Sequence, residues 1–427
     1  MNVGGVVSPP GDKSITHRAL ILGAMSRARV ALKQPRAADD VRATARVLRQ
    51  LDARVGPMGR GRRVLVQGRA WKSPTDTLHC GSASSTARLT LGAIAGRKIS
   101  ARLTGDAPLR RQSMRCVTQP LRAMGARVVE EAGDGLPLRI EGGDLRSLTY
   151  RQPEARAQIK DAILLAGAGG EVPVRITECT RSRDHAERLL RYLGFDVRSV
   201  GSTVELGGPP SRWPSVPDFE LEIPGDCSFA AYLVGAAVLA DGGELRVSNV
   251  GVNPTRTAFL EVLERMGARV ERTAERLAGN EPVADLVVRP SSLRGVEVGA
   301  GEIASLIDEI PLLAVLASRA DGETRFHSVG DLRVKESDRP GLVAANLRAV
   351  GMHASVDAGD LCIEGSERPP VGWIETAGDP RVAMAFAVLG LATGGGVEVS
   401  ELQSVAASYP NFQSDLARVG SPCPVAS

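Results

Sequence analysis

The sequence predicts an α/β protein with two large domains, each built from three similar βαβαββ units. A short phrase of the form Leu-x-x-apolar-Gly-small recurs six times along the chain, and a Pro-Gly-Asp tripeptide precedes an apolar helix twice. The chain has 427 residues, of which 43% are hydrophobic. That length exceeds one ordinary domain and supplies enough apolar side chains for two hydrophobic cores.

The recurring phrase predicts the end of an amphipathic helix. Its Gly suits the left-handed position that follows a helix, and in five copies a Val or similar strand former comes within a few residues. Copies begin about 70 to 85 residues apart, a spacing that fits a βαβαββ unit and is too long for a solenoid repeat. The first copy has Asp52 in place of Gly, and Asp tolerates the left-handed conformation less well than Gly does. The six copies are Leu48–Ala53, Leu121–Ala126, Leu190–Phe195, Leu263–Ala268, Leu347–Met352 and Leu416–Ser421.

The two Pro-Gly-Asp tripeptides predict where the chain crosses between domains. Three copies of the phrase follow each tripeptide, so we expect hinge crossings near residues 10–13 and 224–227. One domain then comprises residues 13–226, and the other comprises residues 1–12 plus 227–427. A cleft between two such domains is where we expect a ligand. The alternative is coincidental turn chemistry, because Pro-Gly-Asp is common in turns.

Charge and composition exclude several classes of partner. The chain has 53 Lys and Arg against 49 Asp and Glu, a net charge of +4, without a basic run interleaved with aromatic residues. We therefore expect no nucleic-acid partner, although a small anion can be held locally. No apolar stretch approaches the length of about 20 residues that spans a bilayer, and the N-terminus lacks a signal-peptide pattern. We expect a cytoplasmic monomer that does not contact a membrane.

The cysteines predict neither disulfides nor a metal site. They are widely spaced, without a CxxC pair or a His-rich segment, so we expect buried thiols in a reducing compartment and no bound metal. The six cysteines are Cys80, Cys116, Cys179, Cys227, Cys362 and Cys423.

Several predicted helix starts carry residues suited to an anionic ligand. Lys13 and Arg18 flank the start of the first apolar helix, with Ser14 as the expected cap, and a helix start already favours an anion. Asp12 separates the Gly from the Lys, so this is not a P-loop. An ordinary capped helix with solvated cations is the alternative. A Ser-rich loop at Gly81–Ser85 enters another helix and is equally compatible with a plain turn.

Three further segments hold candidate site residues. Arg156 and Gln158 precede an apolar helix and could donate hydrogen bonds to a phosphate or a hydroxyl. Asp308 and its neighbour Glu309 precede the apolar run Leu312–Ala317, where carboxylates serve more often as caps than as general bases. The charged stretch Asp331–Arg339 follows a strand predicted at residues 324–329, and Arg381 lies at the mouth of an apolar helix.

Taken in colinear order, these segments resemble the 5-enolpyruvylshikimate-3-phosphate synthase family of enolpyruvyl transferases. The resemblance implies two domains, each of three βαβαββ units around buried helices, an inside-out α/β barrel. It also implies transfer of the enolpyruvyl group of phosphoenolpyruvate to the 5-hydroxyl of shikimate 3-phosphate, without a cofactor. The segments are Gly11–Arg18, Ser182–His185, Gly251–Thr257, Asp308–Pro311, Leu332–Arg339 and Arg381–Ala385.

The resemblance also implies roles for individual residues. Asp308 matches the carboxylate that meets the reacting hydroxyl, and Glu336 and Lys13 match residues of proton transfer. The residues implied for the phosphorylated substrate are Ser14, Arg18, Arg156, Gln158, Asp331 and Lys335. Those implied for the phosphoenolpyruvate side are Lys13, Ser84, Arg88, Gln112, Arg339 and Arg381.

The departures from the family pattern fall mostly on the phosphoenolpyruvate side. Ser84 stands where the family has a Gly, Gln112 where it has an Arg, and Ala407 where it has a Lys. Arg156 replaces a Ser and Pro380 replaces a His. Phosphoenolpyruvate carries close to three negative charges, and each charge-assisted hydrogen bond contributes about 1.5–3 kcal/mol. Loss of two cations therefore predicts weaker binding of this substrate.

Three functions follow as hypotheses. The first is an enolpyruvyl transferase of altered efficiency that acts on small anionic substrates. The second is a lyase on the same scaffold, which eliminates phosphate or water from shikimate 3-phosphate or a relative without phosphoenolpyruvate. The third is a catalytically silent binding homologue, against which the retained Asp308 and Glu336 argue, because a pure binder has no need of them.

Overall fold

The computed structural model describes residues 1–59, 63–330, 337–394 and 396–420. The chain forms two compact units. The N-terminal unit comprises Gly11–Pro224 and Leu277–Glu281. The C-terminal unit comprises Met1–Pro10, Gly225–Arg276 and Pro282–Ser427.

Helices and short strands alternate along the described chain. The strands are β1 Gly5–Val7, β2 Arg29–Lys33, β3 Arg54–Val55, β4 Arg63–Gln67, β5 Leu78–His79, β6 Ser100–Thr104, β7 Arg127–Glu130, β8 Leu138–Glu141, β9 Leu148–Gln152, β10 Val174–Glu178, β11 Val197–Val200, β12 Thr203–Leu206, β13 Phe219–Glu222, β14 Leu245–Gly251, β15 Val270–Ala278, β16 Glu281–Val288, β17 Glu297–Val298, β18 Glu323–Phe326, β19 His353–Asp357, β20 Asp360–Glu364, β21 Gly372–Ile374 and β22 Val397–Val399. The α-helices are α1 Lys13–Met25, α2 Asp39–Gln50, α3 Ser84–Ala95, α4 Ala107–Arg110, α5 Arg115–Met124, α6 Ala157–Gly170, α7 His185–Tyr192, α8 Cys227–Val238, α9 Ala258–Arg265, α10 Ala300–Leu306, α11 Ile310–Ala317, α12 Arg339–Ala349, α13 Pro380–Ala392, α14 Val405–Ser408 and α15 Phe412–Val419.

The N-terminal unit contains three four-stranded sheets of the same topology. Their strand orders are β13-β2-β4-β3, β5-β6-β8-β7 and β11-β12-β10-β9. In each sheet a parallel pair is extended by two antiparallel strands, as β5 with β6, β6 with β8 and β8 with β7 show. This is the predicted βαβαββ unit. The first sheet takes its parallel partner from β13, at the far end of the unit in sequence.

Three helices fill the centre of the N-terminal unit. Helices α1, α3 and α6 are buried on nearly all faces, which accounts for their continuous apolar sequences. Helix α3 approaches α6 so closely that a Cβ at Gly92 would lie 2.2 Å from the carbonyl oxygen of Ala162. Glycine at this position therefore sets the helix spacing that the core requires.

The C-terminal unit repeats this plan in its first two sheets, whereas its third sheet has two strands in the part of the chain that the structure describes. Two four-stranded sheets have the orders β1-β14-β16-β15 and β17-β18-β20-β19, and β21 pairs in parallel with β22. The buried apolar helices are α8, α11 and α13. Each unit has its own hydrophobic cluster, and the cluster of the C-terminal unit is centred on these three helices. The mixed α/β fold predicted from the repeats is thus present in both units.

The recurring phrase marks helix ends as predicted, with two differences at its Gly position. The glycines of four copies have left-handed φ angles, for example 113° at Gly125 and 94° at Gly267. Asp52 also adopts the left-handed conformation, with φ of 74°. Gly420 does not, because its φ is −87°. A strand follows each of the first five copies.

Three local predictions were wrong. The cap of α1 is Asp12, whose carboxylate accepts a hydrogen bond from the backbone of Ile15 at 2.8 Å, and not Ser14. Glu309 precedes α11, but its side chain makes no capping hydrogen bond. The strand predicted at residues 324–329 is present, but it spans Glu323–Phe326 and so ends earlier than predicted.

The prediction of buried cysteines holds for two positions. The five cysteines in the described ranges are free thiols. Cys80 and Cys227 are buried, Cys116 and Cys362 are half-buried, and Cys179 is exposed. Cys423 lies outside the described residues. Burial raises the pKa of the Cys80 thiol to about 12, so this group is protonated and inert at neutral pH.

Candidate active site

At the start of α1, the two predicted cations are both paired with carboxylates. Lys13 Nζ lies 2.8 Å from Asp40 Oδ2. Arg18 donates to the backbone oxygen of Ser14 at 2.7 Å and to the carboxylate of Asp161. Arg18 is 4% exposed and Asp161 is fully buried, so each neutralises a charge that would otherwise be costly to bury. Helix α1 therefore brings Lys13, Ser14 and Arg18 to one place, with their charges balanced.

A second polar group of the N-terminal unit connects three segments of the chain. Arg88 Nη1 on α3 donates to Gln158 Oε1 at 2.6 Å, and Arg88 Nη2 lies 3.4 Å from Gln112 Oε1. The amide nitrogen of Gln158 donates to Ser85 Oγ at 2.7 Å and lies 3.5 Å from Ser84 Oγ. Burial lowers the pKa of the Arg88 guanidinium from its ordinary value. The structure thus brings together Ser84, Arg88, Gln112 and Gln158, four of the predicted residues.

Arg156 stands apart from that polar group. Its Nε lies 2.5 Å from Glu154 Oε2, and both side chains are 56% exposed. An exposed ion pair of this kind contributes little to stability and leaves Arg156 able to change partners.

A buried charge network lies beneath these residues. Lys160 Nζ is 2.8 Å from both Glu178 Oε2 and Glu187 Oε1, and the side chains are 2% exposed or less. The neighbouring Asp161 faces Arg18. Burial raises the pKa of Asp161, although the charges of Arg18 and Lys160 oppose that effect. The network holds the first turn of α6, which also carries Gln158.

In the C-terminal unit, Asp308 faces two arginines. Arg339 Nη1 lies 3.7 Å from Asp308 Oδ1, and Arg381 Nη2 lies 4.0 Å from Asp308 Oδ2. Asp308 is 23% exposed, whereas Arg339 is 3% exposed. Burial acts to lower the pKa of Arg381, but Asp308 and other nearby acidic groups raise it above its ordinary value. The arrangement suits a carboxylate that accepts a proton next to groups that bind anions.

Asp379 fixes both arginines. Its Oδ2 accepts from Arg339 Nε at 2.9 Å and from Ser337 Oγ at 2.9 Å, and its Oδ1 caps α13 through the backbone of Arg381 at 2.9 Å. The guanidinium of Arg381 also lies over the ring of Phe229, 4.8 Å from its centroid. Because α12 and α13 both begin here, their first turns place Arg339 and Arg381 beside Asp308.

Next to Asp308 in the sequence, Glu309 belongs to a buried chain of hydrogen bonds. Ser228 Oγ donates to Glu309 Oε1 at 2.5 Å. Arg256 Nη2 donates to Ser228 Oγ at 2.8 Å and to Asp226 Oδ1 at 3.1 Å. Asp226 in turn caps α8 by accepting from the backbone of Ser228 at 3.1 Å. Glu309, Ser228 and Arg256 are each 5% exposed or less.

Some predicted site residues lie outside the described residues. Asp331, Lys335 and Glu336 fall in residues 331–336, which the structure does not describe. The other predicted site residues are divided between the two units. The N-terminal unit holds Lys13, Ser14, Arg18, Ser84, Arg88, Gln112, Arg156 and Gln158, and the C-terminal unit holds Asp308, Arg339 and Arg381.

Sequence reasoning missed several groups that hold these side chains. Asp161 carried a signal, since Lys160 and Asp161 are charged residues inside an otherwise apolar helix. Asp379 could have been recognised as the residue before Pro380 at a helix start. The chain of Glu309, Ser228 and Arg256 had no local signal, because its members come from three separate segments.

No site of another kind emerges from the described residues. In those ranges, His, Cys, Asp and Glu side chains form no group of three or more that could hold a metal ion. No described helix combines the length and the apolarity that crossing a membrane requires. An open cavity of about 310 Å³ on the third sheet of the N-terminal unit has Arg175, Arg198 and Glu205 in its wall and includes no predicted site residue.

Comparisons with known proteins identify relatives that match nearly the whole chain. Residues 1–416 match the family model of EPSP synthase (3-phosphoshikimate 1-carboxyvinyltransferase). A 3-phosphoshikimate 1-carboxyvinyltransferase of Thermus thermophilus is 44% identical over 418 residues, covering 97% of this chain and 96% of the relative. One from Geotalea uraniireducens is 39% identical over 420 residues, covering 98% and 97%.

Solved structures give the same result. EPSP synthase from Acinetobacter baumannii superposes with a TM-score of 0.91 at 33% identity, covering 98% of this chain and 96% of that one. The enolpyruvyl transferase NikO from Streptomyces tendae shares the fold, with a TM-score of 0.78 at 21% identity over 99% of this chain and 96% of that one. Given these matches over nearly its whole length, the chain belongs to the EPSP synthase (3-phosphoshikimate 1-carboxyvinyltransferase) family.

Proposed function

We propose that this chain transfers the enolpyruvyl group of phosphoenolpyruvate to the 5-hydroxyl of shikimate 3-phosphate or a related phosphorylated cyclohexene acid. Family membership over nearly the whole chain supports the class of reaction. The observation that carries the proposal is the geometry at Asp308, a partly exposed carboxylate 3.7 and 4.0 Å from two arginines. A general base beside an anion-binding pair is what this reaction requires.

In this proposal Asp308 takes the proton of the acceptor hydroxyl. The hydroxyl oxygen forms a bond to the carbon of phosphoenolpyruvate that carries phosphate, while the methylene carbon gains a proton. Loss of a proton from the resulting methyl group and departure of phosphate then restore the double bond. Lys13 and Glu336 are the groups that handle the methylene proton, and Arg339 and Arg381 bind the negative charge of phosphoenolpyruvate.

The remaining predicted residues are assigned to the two substrates. Ser14, Arg18, Arg156, Gln158, Asp331 and Lys335 are proposed for the acceptor. Ser84, Arg88 and Gln112 are proposed for phosphoenolpyruvate. Gln112 supplies an amide at 3.4 Å from Arg88 and no positive charge, which supports weaker binding of phosphoenolpyruvate.

The same proposal includes the domain organisation, the cellular location and the partners of the chain. It takes the domains as residues 13–226 and residues 1–12 with 227–427, with hinge crossings near 10–13 and 224–227. It describes a cytoplasmic monomer with small anionic substrates, no metal or organic cofactor, and neither nucleic acid nor membrane as a partner.

The neutral Gln112 also favours a second candidate, a lyase that uses the acceptor alone. In that reaction the carbon–oxygen bond to phosphate breaks and a ring carbon loses a proton, which yields a diene. Incubation of the protein with shikimate 3-phosphate, with and without phosphoenolpyruvate, separates the two. Phosphate release only with both substrates, together with a product heavier by the enolpyruvyl group, supports the transferase. Phosphate release from shikimate 3-phosphate alone supports the lyase.

The role of Asp308 is tested by Asp308→Asn. Because Asn cannot accept the hydroxyl proton, we expect kcat/KM to fall by about 10²–10⁴-fold. Acceptor affinity measured by calorimetry should change little, which shows that the variant is folded. Asp321→Asn removes an exposed carboxylate of the same unit and serves as the control. Equal rates for Asp308→Asn and wild type would rule Asp308 out as the base.

A further inference from the structure

Glu309 is a buried carboxyl group directly adjacent to the proposed base. It is 2% exposed and precedes α11 without capping that helix. Its hydrogen bond with Ser228 Oγ is 2.5 Å long. A carboxyl removed from water in this way is costly to ionise unless nearby groups stabilise its charge.

The stabilising groups form a directed chain. Arg256 Nη2 donates to Ser228 Oγ at 2.8 Å, so a lone pair of the hydroxyl is used and its hydrogen points to Glu309. Arg256 is itself held by Asp226 at 3.1 Å. The hydrogen bond from Arg256 therefore polarises the hydroxyl of Ser228, and the polarised hydroxyl stabilises a negative charge on Glu309. This chain of hydrogen bonds stabilises an ionised Glu309.

The neighbouring charges oppose one another at Glu309. Burial raises the pKa of Glu309, and the negative charge of Asp308 adds to that effect, while Arg256, Ser228 and Arg381 act to lower it. Among the described residues, the titratable and charged groups around Glu309 are Asp308 before α11, Asp226 and Tyr232 at α8, Arg256 before α9, and Arg381 on α13, with Arg339 on α12 acting through Asp308.

We propose that Glu309 is a positioning residue for Asp308: the chain through Ser228 and Arg256 to Asp226 fixes its carboxyl at the start of α11, and its ionisation increases the proton affinity of Asp308. The proposal rests on the proposed function of Asp308 as general base. Glu309 itself takes no proton from the substrate. Glu309 sets how strongly Asp308 binds that proton.

The two adjacent carboxyls should titrate in two coupled steps. Asp308 is partly exposed and faces two arginines, so it loses its proton first. Glu309 ionises at higher pH, where its new charge makes Asp308 a stronger base. The rising limb of the kcat/KM profile of the wild type should therefore contain two steps.

Two variants change the upper step in different ways. Glu309→Gln matches the protonated acid in shape and cannot ionise, so the upper step disappears. The midpoint of the limb then moves to lower pH by about one unit, and the plateau rate falls several-fold. Ser228→Ala keeps the carboxyl but removes its hydrogen-bond donor, so the upper step moves to higher pH. Glu323→Gln, an exposed glutamate on β18, is the matched control and should keep the wild-type profile.

A profile of unchanged shape and midpoint in both Glu309→Gln and Ser228→Ala would overturn the proposal, as would a loss of rate that is uniform with pH. If Glu309→Gln fails to fold, the upward shift in Ser228→Ala still decides the question.

A readout independent of catalysis separates this proposal from the proposed function. Carbon-13 NMR of the free protein can follow the Asp308 carboxyl, which should show a second inflection where Glu309 ionises. That inflection should vanish in Glu309→Gln. If the protein shows this second inflection but has no transferase activity, the coupling of Asp308 and Glu309 is present and only the proposed function is contradicted. If the wild type lacks this second inflection, the proposed coupling is contradicted, whether or not the protein is active.

Discussion

Arg18, which is proposed to bind the acceptor, illustrates how this protein buries a cation. Its guanidinium is 4% exposed and bonded to the buried carboxylate of Asp161. Removal of one partner of such a pair typically costs about 3–5 kcal/mol, because the other charge is left buried without compensation. The pairing therefore keeps Arg18 in place before any ligand arrives. It also reduces the net charge that Arg18 offers to that ligand.

Gln112 is the residue at which the second substrate can be tested most directly. Its side-chain oxygen lies 3.4 Å from Arg88 Nη2, so an Arg here would add a positive charge to a polar group that now has one. We expect Gln112→Arg combined with Ala407→Lys to raise the affinity for phosphoenolpyruvate by about tenfold or more, since each charge-assisted hydrogen bond contributes about 1.5–3 kcal/mol. Isothermal calorimetry measures the change.

A control is Gln50→Arg, which adds one positive charge at the exposed end of α2, compared with two in the double variant. Gln50→Arg should leave the affinity unchanged. If the double variant gains nothing, Ser84→Gly added to it shows whether the Ser84 side chain blocks the pocket. Wild-type affinity and rate equal to those of the Thermus thermophilus relative would contradict the idea of a weakened site.

At the scale of elements, the sequence determines helix starts and helix ends well and the pairing of buried charges poorly. Gly125 and Gly267 end helices in the left-handed conformation because other residues are strained there, and this preference is readable in one sequence. The bond of Arg18 to Asp161 joins residues 143 positions apart, and that of Ser228 to Glu309 joins residues 81 apart. Such partners depend on how repeats pack, which local patterns do not encode.

The site residues themselves are likewise easier to predict from the sequence than the residues that hold them in place. Asp308, Arg339 and Arg381 all lie at helix starts, where the repeat pattern and the family resemblance both direct attention. Asp379 holds Arg339 through a side-chain hydrogen bond, and Glu309 is proposed to act on Asp308 through its charge. Ser14 was misjudged as a cap because Asp12 and Ser14 are both good capping residues, and only the turn geometry decides between them.

His327 directly follows β18 and contacts side chains on two other strands of the C-terminal unit, which gives a pH-dependent prediction. Its Nε2 lies 2.7 Å from Glu297 Oε2 on β17, and its Nδ1 lies 2.9 Å from Asp360 Oδ2 on β20. The hydrogen bonds with Glu297 and then Asp360 raise the pKa of His327 above its ordinary value. A raised pKa means that its contribution to stability is present below the pKa of an unfolded His, about 6.5, and is lost as pH rises through the folded pKa.

We therefore expect the difference in unfolding free energy between wild type and His327→Gln to be positive near about pH 5.5 and to shrink toward about pH 9. Urea denaturation at several pH values measures it. The effect should be small, because His327 is 38% exposed and its ion pairs are screened by solvent. His353→Gln, at an exposed position on β19, is the control. A difference independent of pH would mean that His327 contributes packing and no charge.

At the scale of the whole molecule, two separate hydrophobic clusters predict two unfolding events. The buried apolar residues of the N-terminal unit form one cluster and those of the C-terminal unit form another. A domain with its own core can unfold on its own, and then the calorimetric enthalpy exceeds the van't Hoff enthalpy. We expect differential scanning calorimetry to show this excess.

Two core variants assign the transitions. Leu91→Ala on α3 and Leu233→Ala on α8 each truncate a side chain with 0% exposure, one in each cluster. Each should lower the stability of its own unit by about 2–5 kcal/mol and shift one transition while leaving the other in place. A single transition that both variants shift equally, with matching calorimetric and van't Hoff enthalpies, would mean that the two units unfold as one cooperative body despite their separate cores.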